Sequence, residues 1–580
     1  MSGGLYRSAN AGHLDPSEAD GAVLISTAGA PPPVGAGSSG VDQQPGEASA
    51  ASNSAIMAIG SLVSRGTGFL RTLVLAAALG GGAIGDAYTT AQVVPSVVYE
   101  LLLGGILASV VIPMLVRRRK ADADGGQAYT QRLLTLAVVV LGVAALLATL
   151  SASLLTALYA SDKQGPDFQD LVTQLSYLML PMIFFIGISG VLSAVLNTRG
   201  HFATPMFTPI LNNLVVIATG ALYMVIYGAK AITPGQMTAG QIAVIGGGTL
   251  LGVVVQSAGL FPALRKVGFK WRWRFDFRAL GLRELGRLGG WALCYVVATQ
   301  VGQVVAFKLL NAASGEDAPG PMIYNNVFLL MMMAHGIISV SIITALAPRM
   351  SGAAADNRNA DLAADLARGT RMITAVLTPV AICYAVLAAP ISITLFQRGA
   401  YTAENATDTA LVLVVAAVAL VPFSISQLYT VGFYARQETK TSALINLPVV
   451  GLRILVQLVI FALFSAAFAA PGLMFANAVS YVAGALFSAM LLRRRIGAIP
   501  FGAILANFVK VGIAAVGATV VGIVVVYLLP GDWTPTRPEA ILQLVIGGLV
   551  IVGTYIGIAL GLKVSEITEV IGMVRRKIGR

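Results

Sequence analysis

Two arginines, Arg65 and Arg71, lie inside the first long apolar run of the sequence. An ionisable group in such a run is costly unless it faces water or a partner, so both are candidates for ligand contact. Helical geometry places small and polar residues on the Arg65 face, namely Ser61, Ser64, Gly68 and Thr72. A guanidinium donates paired hydrogen bonds and keeps its charge, which suits a diphosphate. The alternative is that these arginines reach an interface or form structural pairs.

The second apolar run carries a polar helical face and two acids. That face consists of Tyr88, Gln92, Ser96 and Tyr99. Asp86, at the start of the run, either contributes to a ligand pathway or caps this helix. Glu100, beside the polar face, is a candidate salt-bridge partner for one of the arginines.

The second half of the chain offers fewer ionisable residues within its apolar runs. Lys308 shares a polar flank of the seventh run with Gln300, Gln303 and Asn311. His335, in the eighth run, is interpreted as a packing residue, because a lone histidine in a membrane more often has a structural partner than a proton-relay role.

Sequence signatures of catalysis are missing. The chain contains no GxxxxGK[ST] phosphate loop, and its three histidines, His13, His201 and His335, are far apart. No predicted helix carries a pair of carboxylates suited to catalysis. We therefore predict no catalytic residue, no metal site and no cofactor, and we favour transport over enzymatic activity.

Composition indicates which elements position these residues. Of the 580 residues 56% are hydrophobic and only 11% are charged, with a mean hydropathy of +0.80. Apolar runs of about 18 residues or more recur along the chain, each long enough to cross a membrane as a helix. The sequence predicts an all-α polytopic membrane protein with about fourteen transmembrane helices. Their predicted ranges are 54–79, 85–116, 130–159, 168–197, 206–228, 239–266, 284–312, 319–350, 364–397, 404–434, 439–466, 470–495, 501–529 and 537–562.

Basic residues alternate between the predicted loops. Clusters such as Arg117–Lys120 and Arg493–Arg495 follow the second, sixth, eighth, tenth, twelfth and last helices. Because positive residues stay in the cytoplasm, every second loop and both termini are predicted to be cytoplasmic. The net charge of +12 then reflects topology and not nucleic-acid binding. The segment 270–287, with Trp271 and Trp273, is predicted to lie on the inner leaflet, unless it is a plain linker.

An internal repeat relates the two halves of the chain. Tyr88–Pro113 parallels Tyr324–Pro348, and NTRGHFATP from Asn197 parallels YARQETKTS from Tyr434. Six helices then repeat in the same orientation, which is typical of transporters that open alternately to each side. The predicted domains are a disordered cytoplasmic tail at 1–53, a first lobe at 54–283, a second lobe at 284–498, and two further helices with a short cytoplasmic end at 499–580.

A set of motifs occurs together from about residue 54 to the C-terminus. The motifs are SLVSRGTGFLR (Ser61–Arg71), GDAY (Gly85–Tyr88), VIPMLVRR (Val111–Arg118), LNTRGHFATPMFTPILNN (Leu196–Asn213), FPALRKVG (Phe261–Gly268), FQRGAYT (Phe396–Thr402) and GFYARQETKT (Gly432–Thr441). In this combination they resemble the MurJ (MviN) family of lipid II flippases. The resemblance implies the multidrug/oligosaccharidyl-lipid/polysaccharide (MOP) exporter fold, in which two six-helix lobes surround a central cavity and two extra helices form a lipid-facing groove.

The resemblance also implies roles for single residues. Cationic cavity residues of that family engage the lipid-linked diphosphate, and Arg65, Arg71 and Asp86 match family positions. Tyr99 and Glu100 stand where the second helix usually carries two arginines. The arginine and the acid usual in the eighth helix fall near Leu329 and Met332. The predicted substrate-binding residues are therefore Arg65, Arg71, Asp86, Tyr99, Glu100 and, as a replacement cation, Lys308. Some relatives bind sodium through Asp residues of the second lobe, but the matching spans here lack Asp, so no sodium site is predicted.

Together these features predict a transporter and not an enzyme: a lipid II flippase of the bacterial plasma membrane. It would carry the undecaprenyl-diphosphate-linked peptidoglycan precursor from the inner to the outer leaflet by alternating access. Its expected partners are lipid II, the bilayer and cell-wall synthesis proteins. The alternatives are a related exporter of drugs or polysaccharide lipid precursors and a non-transporting scaffold for cell-wall synthesis. A membrane glycosyltransferase would need carboxylates that the chain lacks. Because few residues follow the last predicted helix, we expect no appended cytoplasmic domain.

Overall fold

A computed structural model describes residues 47–101, 111–280, 282–314, 318–531 and 535–578, which are predominantly helical. The α-helices within these ranges are α1 (Glu47–Leu79), α2 (Ala83–Ala91), α3 (Val93–Glu100), α4 (Ile112–Ala121), α5 (Gln127–Leu150), α6 (Ala152–Tyr159), α7 (Pro166–Met179), α8 (Met182–Thr198), α9 (Ala203–Tyr227), α10 (Ala239–Ile242), α11 (Gly248–Ala258), α12 (Phe261–Lys266), α13 (Leu282–Ser314), α14 (Pro321–Ala334), α15 (Val340–Ala355), α16 (Asn359–Val386), α17 (Ala388–Leu395), α18 (Ala403–Ala435), α19 (Thr439–Leu463), α20 (Ala469–Ile496), α21 (Phe501–Leu528), α22 (Arg537–Gly561) and α23 (Ser565–Ile578). Two π-helical turns, Ala243–Gly247 and His335–Ser339, join α10 to α11 and α14 to α15.

The described ranges contain 13 helical segments long and apolar enough to cross a membrane. The second predicted span, 85–116, is not among them, because it consists of the shorter helices α2, α3 and α4 and residues 102–110 lie outside the described ranges. The prediction of an all-α polytopic fold with about fourteen spans is confirmed. Helix α1 begins at Glu47, earlier than the predicted start at 54. The rest of the predicted tail, 1–46, lies outside the described residues.

The second span bends at Gln92, between α2 and α3. Pro95 lies one turn further along, and a proline within a helix lacks an N–H and crowds the carbonyl of the preceding turn. The Gln92 N–H donates to the carbonyls of both Tyr88 (3.3 Å) and Thr89 (3.2 Å). Along this span Tyr88 is buried and Tyr99 is half-buried, and the polar face predicted from Tyr88 to Tyr99 stays a prediction.

Helices α1–α12 pack mainly on one another and form the first lobe, and α13–α20 form the second lobe in the same way. A matching hydrogen bond occurs in each. The Tyr88 hydroxyl pairs with the Thr249 hydroxyl at 2.9 Å, and the Tyr324 hydroxyl accepts from Asn477 Nδ2 at 2.6 Å. Tyr88 and Tyr324 are the first residues of the matched segments Tyr88–Pro113 and Tyr324–Pro348, in the second and eighth predicted helices.

A second matching contact joins the first and fifth spans of each lobe. Asn213 Nδ2 of α9 donates to the Ser64 carbonyl of α1 at 3.2 Å. Asn446 Nδ2 of α19 donates to the Tyr295 carbonyl of α13 at 3.0 Å. In both lobes the same amide also donates to a threonine hydroxyl one turn further along the first span. The repeat is thus visible as two pairs of equivalent contacts, while the division at residue 283 stays a prediction.

The last two long helices pack on the second lobe. Helices α21 and α22 contact each other, and they also contact α16 and α17. The Tyr555 hydroxyl of α22 donates to the Ala375 carbonyl of α16 at 2.8 Å. Gly547 of α22 lies against Leu387, where a side chain would meet the leucine methyl group. Small residues of this kind allow helices to approach closely in a membrane.

Candidate functional site

Arg71 lies on α1 beside the second span. Its side chain is half-buried, and its Nε is buried with no hydrogen-bond partner among the described residues. The hydroxyl groups of Tyr88 and Tyr99 are close enough to interact electrostatically with its charge. The structure therefore brings together three of the residues singled out from the sequence. It leaves a guanidinium donor there available to an acceptor.

Arg65 occupies a different place, where the two lobes meet. Its guanidinium lies against Gly336, in the π-helical turn that follows α14, and a Cβ at Gly336 would overlap it. The charge of Arg65 also acts on the ring of His335 in the same turn. Arg65 therefore contacts the second lobe, whereas Arg71 lies near the second span of the first.

His335 is a buried packing residue, in agreement with its interpretation from the sequence. Its Nδ1 is 2.9 Å from the Ser424 hydroxyl, and its ring meets Phe423 edge-on with centroids 4.7 Å apart. Both partners belong to α18. These contacts hold the ring in place, so that the π-helical turn presents Gly336 to Arg65.

Asp86 lies in the first turn of α2, and its side chain contacts the second lobe. Only 1% of the residue is exposed, and its Oδ1 accepts a hydrogen bond from the Met322 N–H at 2.8 Å. It also lies against Gly320, where a side chain would overlap the carboxylate. Asp86 of the first lobe therefore caps α14 of the second lobe, and the carboxylate complements the positive end of that helix. The sequence alternative of a first-turn acid agrees with its place in α2, the contact with α14 was not foreseen, and a role of Asp86 in a ligand pathway stays a prediction.

Further hydrogen bonds join the lobes at the same end of the molecule. The Ala400 N–H donates to the Ala77 carbonyl at 2.8 Å, and the Gly81 N–H donates to Asn405 Oδ1 at 3.1 Å. We call this set of contacts, with that of Asp86, the interlobe seam: residues 77–86 against residues 320–322 and 399–405. These three hydrogen bonds involve six groups, of which four belong to the main chain and two are the side-chain oxygens of Asp86 and Asn405. The seam therefore depends on close approach of the backbones.

Asn311 of α13, predicted to flank Lys308 on a polar surface, is fully buried and satisfied. Its Nδ2 lies 3.0 Å from the Thr90 hydroxyl and donates to the Tyr159 carbonyl at 2.9 Å. Asn311 is therefore another contact between the lobes. Lys308 itself is exposed on α13, and the structure does not bring it into contact with Arg71.

Tyr99 and Glu100 are half-buried at the end of α3, and Ser96 beside them is exposed. The proposed salt bridge from Glu100 to an arginine is absent from the described structure. The predicted polar face of α1 also needs correction at Gly68. This glycine packs against the Asn213 amide, so it contacts α9 and does not line a cavity.

The sequence analysis overlooked Arg453 and Gln457, both buried in α19. Arg453 Nη2 donates to the Thr299 carbonyl at 3.0 Å, and the guanidinium occupies the space above Gly302. Neither amide atom of Gln457 has a partner among the described residues. An arginine in the middle of a 25-residue apolar helix is the same signal that singled out Arg65, and the same rule finds it.

Within the described residues no group of three or more His, Cys, Asp or Glu side chains is arranged to hold a metal ion. The arrangement offers a binding surface that consists of half-buried arginines on a two-lobed helical frame, closed by a seam at one end. Such a frame suits movement of a charged ligand past the lobes better than bond-making chemistry.

The chain has the same fold as solved transporters of the MOP superfamily. A solved inward-facing multidrug-resistance MATE transporter of that superfamily aligns with a TM-score of 0.61 at 16% identity, covering 75% of this chain and 95% of that one. A solved lipid II flippase MurJ in an inward closed conformation aligns with a TM-score of 0.67 at 17% identity, covering 90% of this chain and 99% of that one.

The family model for lipid II flippase MurJ matches residues 75–536, so the chain belongs to the lipid II flippase MurJ family, which consists of transporters and not enzymes. A relative from Rhizobium tropici, named a probable lipid II flippase MurJ, is 24% identical over 527 residues. That alignment covers 90% of this chain and 95% of the relative. The family resemblance found in the sequence motifs is confirmed.

Proposed function

We propose that this protein moves lipid II from the inner to the outer leaflet of the bacterial plasma membrane by alternating access between its two lobes. The observation that carries the proposal is Arg71, whose buried Nε lacks a protein partner within the described residues. Its relatives are named for lipid II, whose diphosphate offers the acceptor oxygens that a guanidinium binds in pairs. Tyr99 and Glu100, near Arg71 on the second span, complete the proposed site.

Arg65 contributes to transport in a different way, through the contact between the two lobes. Its guanidinium lies at the contact between α1 and the turn after α14, so a diphosphate that drew it away from Gly336 would loosen that contact. Substrate binding would then be linked to the relative position of the lobes. Asp86 acts in this scheme through the interlobe seam and not through the substrate. Lys308 stays a candidate second cation, exposed on α13.

The proposed topology places both termini in the cytoplasm and the interlobe seam toward the outer leaflet. The described conformation is then closed to the outside. Opening would break the three seam hydrogen bonds, each with a net stabilisation of about 0.5–1.5 kcal/mol. Three such bonds amount to a few kcal/mol, which is within the range that differential binding of a ligand can shift. Cell-wall synthesis proteins, which would consume the flipped precursor, are the proposed protein partners.

The test is rescue of a bacterial strain depleted of its own lipid II flippase, combined with lipid binding by the purified protein in native mass spectrometry. We expect the parent protein to restore growth and to retain lipid II in preference to an undecaprenyl diphosphate that carries a polysaccharide unit. Equal retention of the two lipids without rescue would favour an exporter of polysaccharide precursors. Retention of neither lipid, again without rescue, would favour a scaffold.

A further inference from the structure

Residues 270–278, with the sequence KWRWRFDFR, connect α12 to the start of α13, and we call them the aromatic-basic strap. Aromatic residues alternate with charged ones along it. The four rings form a continuous row: centroids are 5.3 Å apart for Trp271 and Trp273, 6.2 Å for Trp273 and Phe275, and 6.1 Å for Phe275 and Phe277. Trp273 is 59% exposed and Phe275 is 64% exposed, so the middle of the row is not covered by the protein.

The strap is fixed to the first turns of α5. Gln131 Nε2 donates to the Lys270 carbonyl at 2.6 Å, and the Arg274 N–H donates to the Thr135 hydroxyl at 3.1 Å. Arg274 Nε also donates to Gln131 Oε1 at 2.9 Å. A segment held by its own main chain in this way keeps its exposed rings in a defined position.

An ion pair fixes the strap beyond Arg274. Arg132 of α5 meets Asp276 with 2.6 Å between Nη2 and Oδ2. The hydrogen bond from Arg132 lowers the pKa of the Asp276 carboxyl, so Asp276 is ionised at neutral pH. Its charge is thereby compensated within the protein. The exposed charges that remain on the strap are the basic ones, on Lys270, Arg272 and Arg278.

The position of the strap along α5 indicates where the strap lies relative to the membrane. Thr135 is the furthest residue along this helix that forms a hydrogen bond with the strap, and the exposed apolar surface of α5 begins one turn later with Val139 and Val140 and continues to Leu150. With a rise of 1.5 Å per residue, the strap lies about 6 Å from the start of the lipid-facing surface. Tryptophan rings beside basic side chains are enriched at this level of a membrane protein, between the hydrocarbon and the water.

We propose that the aromatic-basic strap binds anionic phospholipids, with the rings of Trp273 and Phe275 among the upper acyl-chain carbons and Lys270, Arg272 and Arg278 on the phosphate groups. Charge complementarity selects this occupant, because three exposed cations face outward and the one carboxylate is paired internally. Which leaflet supplies the lipid rests on the proposed topology, but binding itself does not. The strap would hold the connection between the lobes at the membrane surface while the lobes move.

The experiment uses the full-length chain, in which Trp291→Phe and Trp533→Phe leave only the two strap tryptophans of the four present. The protein is reconstituted in vesicles of phosphatidylglycerol and phosphatidylcholine, with bromine on the upper acyl chain of one lipid or the other. We expect stronger fluorescence quenching when phosphatidylglycerol carries the bromine. In Lys270→Gln/Arg272→Gln, the preference for phosphatidylglycerol should fall about thirtyfold, since each basic residue near a membrane surface contributes about fivefold.

The matched control is Arg493→Gln/Arg494→Gln, which removes the same charge from the end of α20 and should leave the quenching unchanged. An unaltered melting temperature shows that the strap variant is folded. Equal quenching by the two brominated lipids, or an unchanged preference in the folded strap variant, overturns the proposal. Absence of quenching by either lipid overturns it as well, and indicates a protein partner. Lipid II transport does not enter this measurement, so its outcome is separate from that of the proposed function.

Discussion

Arg71 differs from the other arginines within the spans in what its guanidinium contacts. Arg65 lies against Gly336, and Arg453 donates from Nη2 to a carbonyl. The Nε atoms of Arg453 and Arg71 are both buried without an acceptor among the described residues, but Arg71 lacks a carbonyl contact of the kind that Arg453 makes there. Because a charge-assisted hydrogen bond contributes about 1.5–3 kcal/mol, Arg71→Ala should weaken lipid II binding roughly 10- to 150-fold. Arg71→Lys keeps the charge but not the paired donors, and should retain an intermediate affinity.

Native mass spectrometry with lipid II measures these affinities, and rescue of a flippase-depleted strain measures function. Arg494→Ala, at an exposed helix end, is the control and should bind as the parent does. If Arg71→Ala, at equal membrane abundance, binds lipid II as tightly as the parent, then Arg71 is structural and Lys308 becomes the next candidate.

Asp86 holds the interlobe seam by accepting one hydrogen bond at the N-terminus of α14. Asp86→Asn keeps an oxygen that can accept from the Met322 N–H, so we expect a loss of about 1 kcal/mol or less, mainly from the charge at the helix end. Asp86→Ala leaves that N–H without its acceptor, and we expect about 1–3 kcal/mol. The readout is thiol labelling of a cysteine placed at Met322, which keeps its main-chain N–H and whose side chain is buried against Gly85 of the first lobe. Labelling should be faster in Asp86→Ala than in Asp86→Asn. Equal labelling rates in Ala, Asn and parent backgrounds would show that Asp86 does not hold the seam.

Sequence reasoning at the residue scale found Asp86 but not its partner. The acceptor and donor are 236 positions apart, and nothing local indicates that the start of one span meets the start of another from the other lobe. Arg453 is the opposite case. The rule that an ionisable residue in an apolar run is a candidate for function applies fully to Arg453. This residue was overlooked because it lies in the second half of the chain, which offers fewer ionisable residues.

Two ion pairs, one mostly buried and one exposed, attach helix α23 to the second lobe. Glu566 is nearly buried and accepts from Arg371 at 2.6 Å and from Asn507 at 3.0 Å, whereas Arg368 and Glu569 form a pair in which both side chains are 38% exposed. Arg371→Ala leaves a mostly buried carboxylate without its main partner, so we expect a loss of unfolding free energy on the order of 3 kcal/mol.

Arg368→Ala is the matched control, and an exposed pair of this kind contributes about 1 kcal/mol or less. Thermal unfolding of the purified variants, followed by intrinsic fluorescence, gives the comparison. Adding Glu566→Gln to Arg371→Ala should restore part of the loss, because it removes the buried charge. Equal destabilisation by the two arginine variants would contradict this account of how α23 docks.

The elements themselves were largely predictable, since long apolar runs and turn residues mark most helix ends. The bend at Gln92 was also available from the sequence, because Pro95 stands inside the predicted second span. The π-helical turns at 243–247 and 335–339 were not, because each results from packing against neighbouring helices and not from a local signal. The second of these turns contains Gly336, so the contact between Gly336 and Arg65 could not be predicted from the sequence pattern.

At the scale of the whole molecule, the alternation of basic loops predicts sidedness. In a background without Cys294 and Cys383, a cysteine replacing Lys230 should react with a membrane-impermeant maleimide added to intact cells, because its loop is predicted to be outside. Cysteines replacing Lys120 or Arg494 should react only after the membrane is permeabilised. All three positions are exposed, so access of the reagent is limited by the membrane alone. Labelling of Arg494→Cys in intact cells would invert the proposed topology.

The interlobe seam has a consequence for how this chain can diverge. Between Ala77 and Ala400 the partners are peptide groups, and at Gly81 and Met322 the donor is again a peptide N–H. Peptide groups are common to all residues, so mutation at these positions changes the bulk beside the contact and leaves its donors and acceptors in place. The main-chain contacts of the seam can therefore be kept when residues at these positions change, provided that side chains such as that of Ala400 stay small. The two side-chain acceptors, Asp86 Oδ1 and Asn405 Oδ1, are the exceptions, so a gate built in this way depends on these two residues and tolerates change at its main-chain positions.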